Sequence, residues 1–456
     1  MNFENKKNTL GLFSLIMIAI VSVDSLRNLP IGAQYGFSLI TFYLLAAITF
    51  FIPLTWIASK LTTGFPKTGG SYLWVEAAFG KSFAYLSIWL QWVYNIIWYP
   101  TIFAFISSTV ASLLFPNFAN NKWYLFLTCL SLFWILTFVH FRGVRAIAWV
   151  SAASAIVGTI LPMLLIMALA CYWLASGQPS ATPLTMDALL PNKETFKDIA
   201  YFSNILFSLL GIEVIAMHAG NVTNPKTAYP RAFIISAMII LFTLVLSSLA
   251  LCVVIAPGKL MLISGVMDVF HLFFATYHFP YGAQIIGWCI VLGGFGIASS
   301  WMIGLARGLH VALTSTRAPK FLHKLNKHGV PLNVLCLQGV VYTILLSAFI
   351  LMPNVNNSYW LLSALTSQFA LLYYILLFAA SFKLLSKMED RSACTNVLRV
   401  LFPVSGIIIS IAGITAGFIP PSDVAADNIL QYKIFMGIGL VVFCLVPFFV
   451  GRMKRG

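Results

Sequence analysis

Long, nearly uninterrupted apolar runs recur along the whole chain, and that feature restricts what it can fold into. A run of roughly 20 apolar residues spans a bilayer core as one α-helix. Hydropathy, with Pro and Gly as punctuation, separates twelve runs, at about 10–35, 37–59, 83–115, 123–140, 147–175, 199–220, 232–256, 282–311, 331–352, 359–386, 398–419 and 430–450. We number them spans 1 to 12. All are read as helices, because a strand edge open to lipid leaves backbone groups unpaired. The chain has 60% apolar and only 9% charged residues, against roughly 45–50% and 25% in a soluble domain. So few charges cannot cover a water-facing surface, which excludes a soluble enzyme. Disorder needs low hydrophobicity and is excluded as well. The expected fold class is an all-α polytopic membrane protein of about twelve helices, with no loop long enough for a separate soluble domain.

The net charge of +15 raises the question of a nucleic-acid partner, and its distribution answers it. With the N-terminus placed in the cytoplasm, 21 of the 27 Lys and Arg residues fall in cytoplasmic segments, 5 fall on the other side, and Arg27 lies within a span. This is the asymmetry that orients membrane proteins. It predicts a multi-pass protein of a cell membrane, a bacterial inner membrane by this reading, with both termini cytoplasmic and no nucleic-acid role. Residues 1–9 and 451–456 are then the two tails, and 176–198 is an external loop.

Chemistry-bearing clusters are scarce. The seven cysteines are scattered without metal-ligand spacing, so neither a metal, a cofactor nor a disulfide framework is expected. His323 and His328 share a basic loop with no carboxylate beside them, which argues against a membrane enzyme. No charged ring or filter motif marks a channel, and no attached domain marks a sensor.

Three ionisable residues lie deep in the spans: Asp24, Arg27 and Glu213. Such residues are costly in lipid and mark functional sites. Span 1 runs Asp24-Ser25-Leu26-Arg27-Asn28-Leu29-Pro30, and the proline predicts an interruption near Leu26–Leu29. Span 6 runs Leu210-Gly211-Ile212-Glu213, where glycine permits unwinding. Asp24 and Glu213 each lie 14 residues into their spans, roughly 20 Å deep at 1.5 Å per residue. Interrupted helices at matching places in two inverted halves are the mark of a secondary transporter with a midplane site. The halves would be residues 10–175 and 199–386, with 398–450 added. Asp24 and Arg27, three residues apart, could neutralise each other, or Arg27 could meet the substrate. Glu213 could carry a proton, face the substrate or pair with Arg27.

Pro66-Lys67-Thr68-Gly69-Gly70-Ser71-Tyr72-Leu73-Trp74-Val75-Glu76-Ala77-Ala78-Phe79-Gly80 follows span 2. It resembles the P-x-x-G-G-x-Y-x-W-V-x-x-x-F-G segment of amino acid permeases in the amino acid–polyamine–organocation superfamily. Gly211-Ile212-Glu213, with Asn224-Pro225 and Tyr229-Pro230, is similar to that superfamily's G-x-E…N-P-x-x-x-Y-P stretch. Ala298 to Gly304, Arg307-Gly308 and Asn326 to Pro331 look closest to its glutamate:GABA antiporter branch. The resemblance implies the leucine-transporter-like fold of two inverted five-helix repeats plus two helices. It also implies alternating access and an amino acid substrate, carried by exchange or, as the alternative, by proton-coupled symport of an amino acid or polyamine. By position it implies substrate contacts at Ser25, Leu26, Arg27, Asn28, Leu210, Gly211, Glu213, Trp301 and Tyr374. Asp24 and Glu213 would couple charge. The segment with Pro66, Gly69, Gly70, Tyr72 and Trp74 would form an inner gate, its apolar face made by Tyr72, Trp74 and Phe79. The sequence departs from the wider superfamily in lacking a G-x-G break in span 1, and from the branch in having Ile297 and Ala370 at cavity positions.

Overall fold

The computed structural model describes residues 10–65, 69–142, 156–192, 195–196, 198–222, 224–314, 316, 318–388, 393–421 and 429–450. Among these the fold is helical, with an isolated bridge between Leu10 and Val222. Eleven helices of the described residues are long and apolar enough to cross a membrane. They include span 1 at Leu12–Ala33, span 2 at Gly36–Gly64, span 3 at Lys81–Leu114, span 6 at Tyr201–His218, span 7 at Pro225–Val254, span 8 at Gly282–Thr314 and span 10 at Val355–Leu385. The twelfth helix, Ile429–Val450, carries a shorter apolar stretch, Tyr432–Leu445. The first part of the expected span 5, residues 147–155, lies outside the described residues; its described part is Ile156–Ala175.

Spans 1, 2, 6 and 7 pack on one another, and spans 3, 4, 8 and 9 form a second group. Span 10 lies between spans 3 and 11, and span 5 touches both spans 7 and 8. Small residues let spans 5 and 8 approach closely: a Cβ on Gly158 of span 5 would collide with the Gly293 backbone of span 8. Packing of this kind replaces the hydrophobic effect where lipid is the solvent.

Two non-spanning helices flank the bundle. Ser71–Phe79 packs against spans 3 and 10. Its buried face is Ser71, Trp74, Val75 and Ala78, the i, i+3, i+4, i+7 stripe of an amphipathic helix. Tyr72 and Phe79, expected on that face, are only half-buried, because they lie off the stripe. Gly70 starts the helix at φ +54°, a conformation glycine adopts without strain, and a Cβ there would press 3.2 Å from the Met217 Cγ at the end of span 6. Pro66 and Lys67 lie outside the described residues. The second helix, Gly265–Thr276, joins spans 7 and 8, and the sequence reading had no element there.

Candidate functional site between two broken helices

Both expected interruptions exist. Span 1 is helical over Leu12–Val23, then Asp24 and Ser25 are extended, and a tight turn at Leu26–Asn28 leads into a second helix, Leu29–Ala33. The break therefore falls at Asp24–Ser25, not at Leu26–Leu29. Pro30 is the reason: proline fits the first turn of a helix, where its missing N–H costs nothing. It starts the second half and leaves the unwinding upstream. Span 6 stops at Ser208, unwinds through Leu209 and Leu210, and turns at Gly211 with φ +109° into a tight 3₁₀ segment, Ile212–Asn221. A side chain at 211 would also stand 2.9 Å from the Ser22 carbonyl oxygen. The first half of span 1 packs on the second half of span 6, and the first half of span 6 on the second half of span 1.

A cavity of about 50 Å³ lies where the breaks meet. Span 1 contributes Val21 to Ser25 and Asn28, and span 6 contributes Phe207, Leu210 and Gly211. Tyr94, Asn95 and Trp98 of span 3 and Ile297 and Trp301 of span 8 complete the wall. The sites expected from sequence thus divide. Asp24, Ser25, Asn28, Leu210, Gly211 and Trp301 line the cavity, whereas Leu26, Arg27, Glu213 and Tyr374 stand outside its described lining. Phe207, Tyr94 and Asn95 were missed, since in a membrane helix they read as ordinary packing positions.

The three deep charges keep separate company. Asp24, 1% exposed, accepts a 2.9 Å hydrogen bond on Oδ2 from the Thr243 hydroxyl of span 7. Arg27 donates from Nη1 to Thr101 Oγ1 at 2.9 Å and to Ser363 Oγ at 3.5 Å, and from Nη2 to Asn28 Oδ1 at 2.7 Å. Its guanidinium lies 5.9 Å from the Trp98 ring centre and 5.6 Å from that of Phe207, so two aromatic faces stabilise the cation. Tyr359 of span 10 donates to the Arg27 carbonyl at 3.2 Å. Of the two alternatives for Arg27, mutual neutralisation with Asp24 is not the arrangement found: the Asp24 Oδ1 and the Arg27 Nε each lack a hydrogen-bond partner. The extended backbone at Asp24–Ser25 abolishes the helical i,i+3 relation that would have paired them.

Glu213, 3% exposed, is not paired with Arg27 and does not line the cavity. Its Oε1 accepts from the Tyr374 hydroxyl at 2.7 Å, and the same hydroxyl oxygen accepts the Gly211 N–H at 2.9 Å. The aromatic side chain from span 10 thereby straps the span 6 break.

The chain matches the family described as "Amino acid permease" over residues 10–443. It is 41% identical to an uncharacterised transporter of Legionella pneumophila, covering 98% of both chains. It is 27% identical to a glutamate/gamma-aminobutyrate antiporter of Lactococcus lactis, covering 99% of this chain and 92% of that one. A probable agmatine/putrescine antiporter of Lactococcus lactis is 26% identical over 99% of this chain and 96% of its own length. Among solved structures, MhsT in complex with L-phenylalanine superposes with a TM-score of 0.55 at 15% identity, covering 88% of this chain and 98% of that one, which shows the shared leucine-transporter-like fold. A match along almost the whole length, with aligned breaks and a cavity between them, makes this protein a multi-pass membrane transporter of the amino acid permease family.

Proposed function

We propose that the protein exchanges amino acids across a cell membrane by alternating access, with the substrate held between the span 1 and span 6 breaks. The observation that carries this is the cavity lined from both breaks at once. Half-helix ends offer complementary partial charges there. The first half of span 1 ends with the carbonyls of Val21, Ser22 and Val23 beyond its last helical bond, Asp24 N–H to Ile20 O. All three residues line the cavity, and unpaired carbonyls suit an ammonium. Ser25 and Asn28 on span 1 and Leu210 on span 6 supply groups around the remainder of the substrate, while Gly211, its N–H held by Tyr374 and its carbonyl by the Val214 N–H, shapes the wall. Antiporters among the relatives favour exchange over one-way transport.

The helix Ser71–Phe79, with Gly69, Gly70, Tyr72 and Trp74, acts as the gate on the basic face. Its first residues abut the exit of span 6 at Met217, so a movement of span 6 is felt there. Both termini lie on the cytoplasmic side, as the positive-inside asymmetry requires; reporter fusions at Gly456 active only outside would contradict that.

Uptake of radiolabelled L-glutamate, gamma-aminobutyrate and other amino acids into proteoliposomes tests the exchange. Preloaded vesicles should take up label much faster than empty ones. Equal rates in the two, with dependence on a pH gradient, would replace exchange by proton symport, and Glu213 would then be the residue to examine first.

A further inference from the structure

The Asp24 carboxylate has only part of its bonding capacity met. A carboxylate has two oxygens and about four acceptor sites. Oδ2 accepts from Thr243, and Oδ1 has no hydrogen-bond partner. The side chain is 1% exposed, yet the residue lines the cavity. Its sequence neighbour Arg27 does not serve it: the Nη atoms donate to Thr101, Ser363 and Asn28, the Trp98 and Phe207 rings lie beside the guanidinium, and Nε, itself without a partner, makes no bond to Oδ1. Those two rings line the cavity themselves, so the cation stands one side-chain layer behind the wall on which the acid is presented. A buried acceptor left without a donor is expensive, and the partner that repairs it has to enter through the cavity.

From this geometry we infer that Asp24 is the residue that recognises the substrate's ammonium group, through Oδ1, with Thr243 as the residue that positions it. The inference rests on the amino acid reading above and sharpens it: a compound must bring a cationic amine to bind, whatever its other end. The Asp24 carboxyl lies directly after the carbonyls of Val21, Ser22 and Val23, so its oxygens add acceptors at the negative end of a half-helix. An ammonium there finds carbonyls on one side and a carboxylate on the other. A ligand of the same length without the amine finds the same carboxylate uncompensated.

The experiment compares gamma-aminobutyrate with butyrate, which differ only by the amine, on the purified full-length protein in liposomes. Wild-type protein should bind gamma-aminobutyrate at least about 30-fold more tightly than butyrate, the factor expected when one partner of a buried charge pair is missing. Asp24→Asn keeps the shape and the Thr243 contact, and should bring that ratio to within about threefold of one. Asp24→Glu should retain a preference for the amine. A purely structural role would weaken both ligands together and leave the ratio unchanged, so a wild-type ratio in a folded Asp24→Asn protein overturns the inference. If Asp24→Asn does not fold, Thr243→Val removes only the positioning hydroxyl; a ratio lowered by at least about threefold supports the inference and an unchanged ratio overturns it. Wild-type protein that binds none of gamma-aminobutyrate, L-glutamate and putrescine would instead overturn the amino acid reading itself.

Discussion

The two breaks solve the same problem by different means. In span 1 the chain leaves the helix through ordinary residues in extended conformation, Asp24 and Ser25, and resumes it at a proline-marked start. The charges of that segment are dispersed: Asp24 is held from span 7, and Arg27 from spans 3 and 10. In span 6 the break turns on one backbone conformation, Gly211 at φ +109°, strapped at that pivot by Tyr374, which ties the glycine N–H to Glu213, while Tyr43 and Tyr229 hold only its flanks at Ser208 and the Ile215 carbonyl. A break with several independent supports tolerates the loss of any one. A break with a single pivot and a single strap does not. Span 6 is therefore the more fragile of the two, and substitutions should expose the asymmetry.

The largest effect is expected at the pivot. A β-branched residue is a severe outlier at positive φ, and backbone strain of that kind costs about 1–3 kcal/mol before any clash. Here the new Cβ also meets the Ser22 carbonyl oxygen at 2.9 Å. Gly211→Val should abolish transport in proteoliposomes and lower the melting temperature. Ser25→Ala, at the matching place in span 1, should leave the melting temperature nearly unchanged. Equal damage from the two would remove the distinction between a pivoted and a dispersed break.

Next comes the strap. Tyr374→Phe deletes one hydroxyl and leaves both the Gly211 N–H and Glu213 Oε1 without it. Each abandoned buried group costs about 1–3 kcal/mol. The variant should unfold at a lower temperature and transport more slowly. Tyr359→Phe, which removes a single 3.2 Å bond to the Arg27 carbonyl, should do clearly less; the reverse order would mean that span 1 is the break held from span 10.

How much of this could be read from sequence follows from which residues carry unusual signals. Pro30 and Gly211 are breakers in apolar runs, so both interruptions were legible. The position of the first was not, because a proline marks a helix start as readily as a helix end. Asp24, Arg27 and Glu213 stood out as charges in lipid, but their partners did not. Thr101, Thr243 and Ser363 look like any small polar residue in a long apolar helix, and only the packing of distant spans brings them to the charges. Phe207 and Asn95 were hidden for the same reason. The Gly69-Gly70 motif announced a loop helix, while its buried stripe, Ser71, Trp74, Val75 and Ala78, follows helical spacing that the aromatic residues alone did not reveal.

A smaller effect, mainly kinetic, is expected at the helix Ser71–Phe79 that we propose as the gate. Trp74 is 2% exposed and lies on the buried stripe of a helix that packs against spans 3 and 10. Trp74→Phe keeps an aromatic ring in a slightly loosened seat. Turnover should fall several-fold, while the equilibrium constant for a bound amino acid changes by less than about threefold, since no atom of Trp74 lines the cavity. Binding weakened tenfold or more, with turnover intact, would move Trp74 from the gate to the site.

The smallest expected effect is an interaction energy close to zero. Arg27 and Glu213 are the obvious opposite charges to pair across the two breaks, and a shared site would make them couple strongly. The geometry separates them. The Arg27 Nη atoms bond to hydroxyls and an amide beside two rings, whereas Glu213 Oε1 is taken by Tyr374, and the unpartnered Arg27 Nε and Glu213 Oε2 do not bond to each other. Residues without a shared partner give additive effects to within about 0.3–0.5 kcal/mol. Arg27→Gln and Glu213→Gln should therefore each reduce transport, and the double variant should show the product of the two reductions. The cycle should be run on thermal stability as well as on transport, because the two readouts sample different states. Additivity in stability with strong coupling in transport would mean that the two charges meet only during the transport cycle, when the breaks rearrange. Strong coupling in both would put Arg27 and Glu213 in one site in the resting protein, and the contrast between a dispersed and a strapped break would fail.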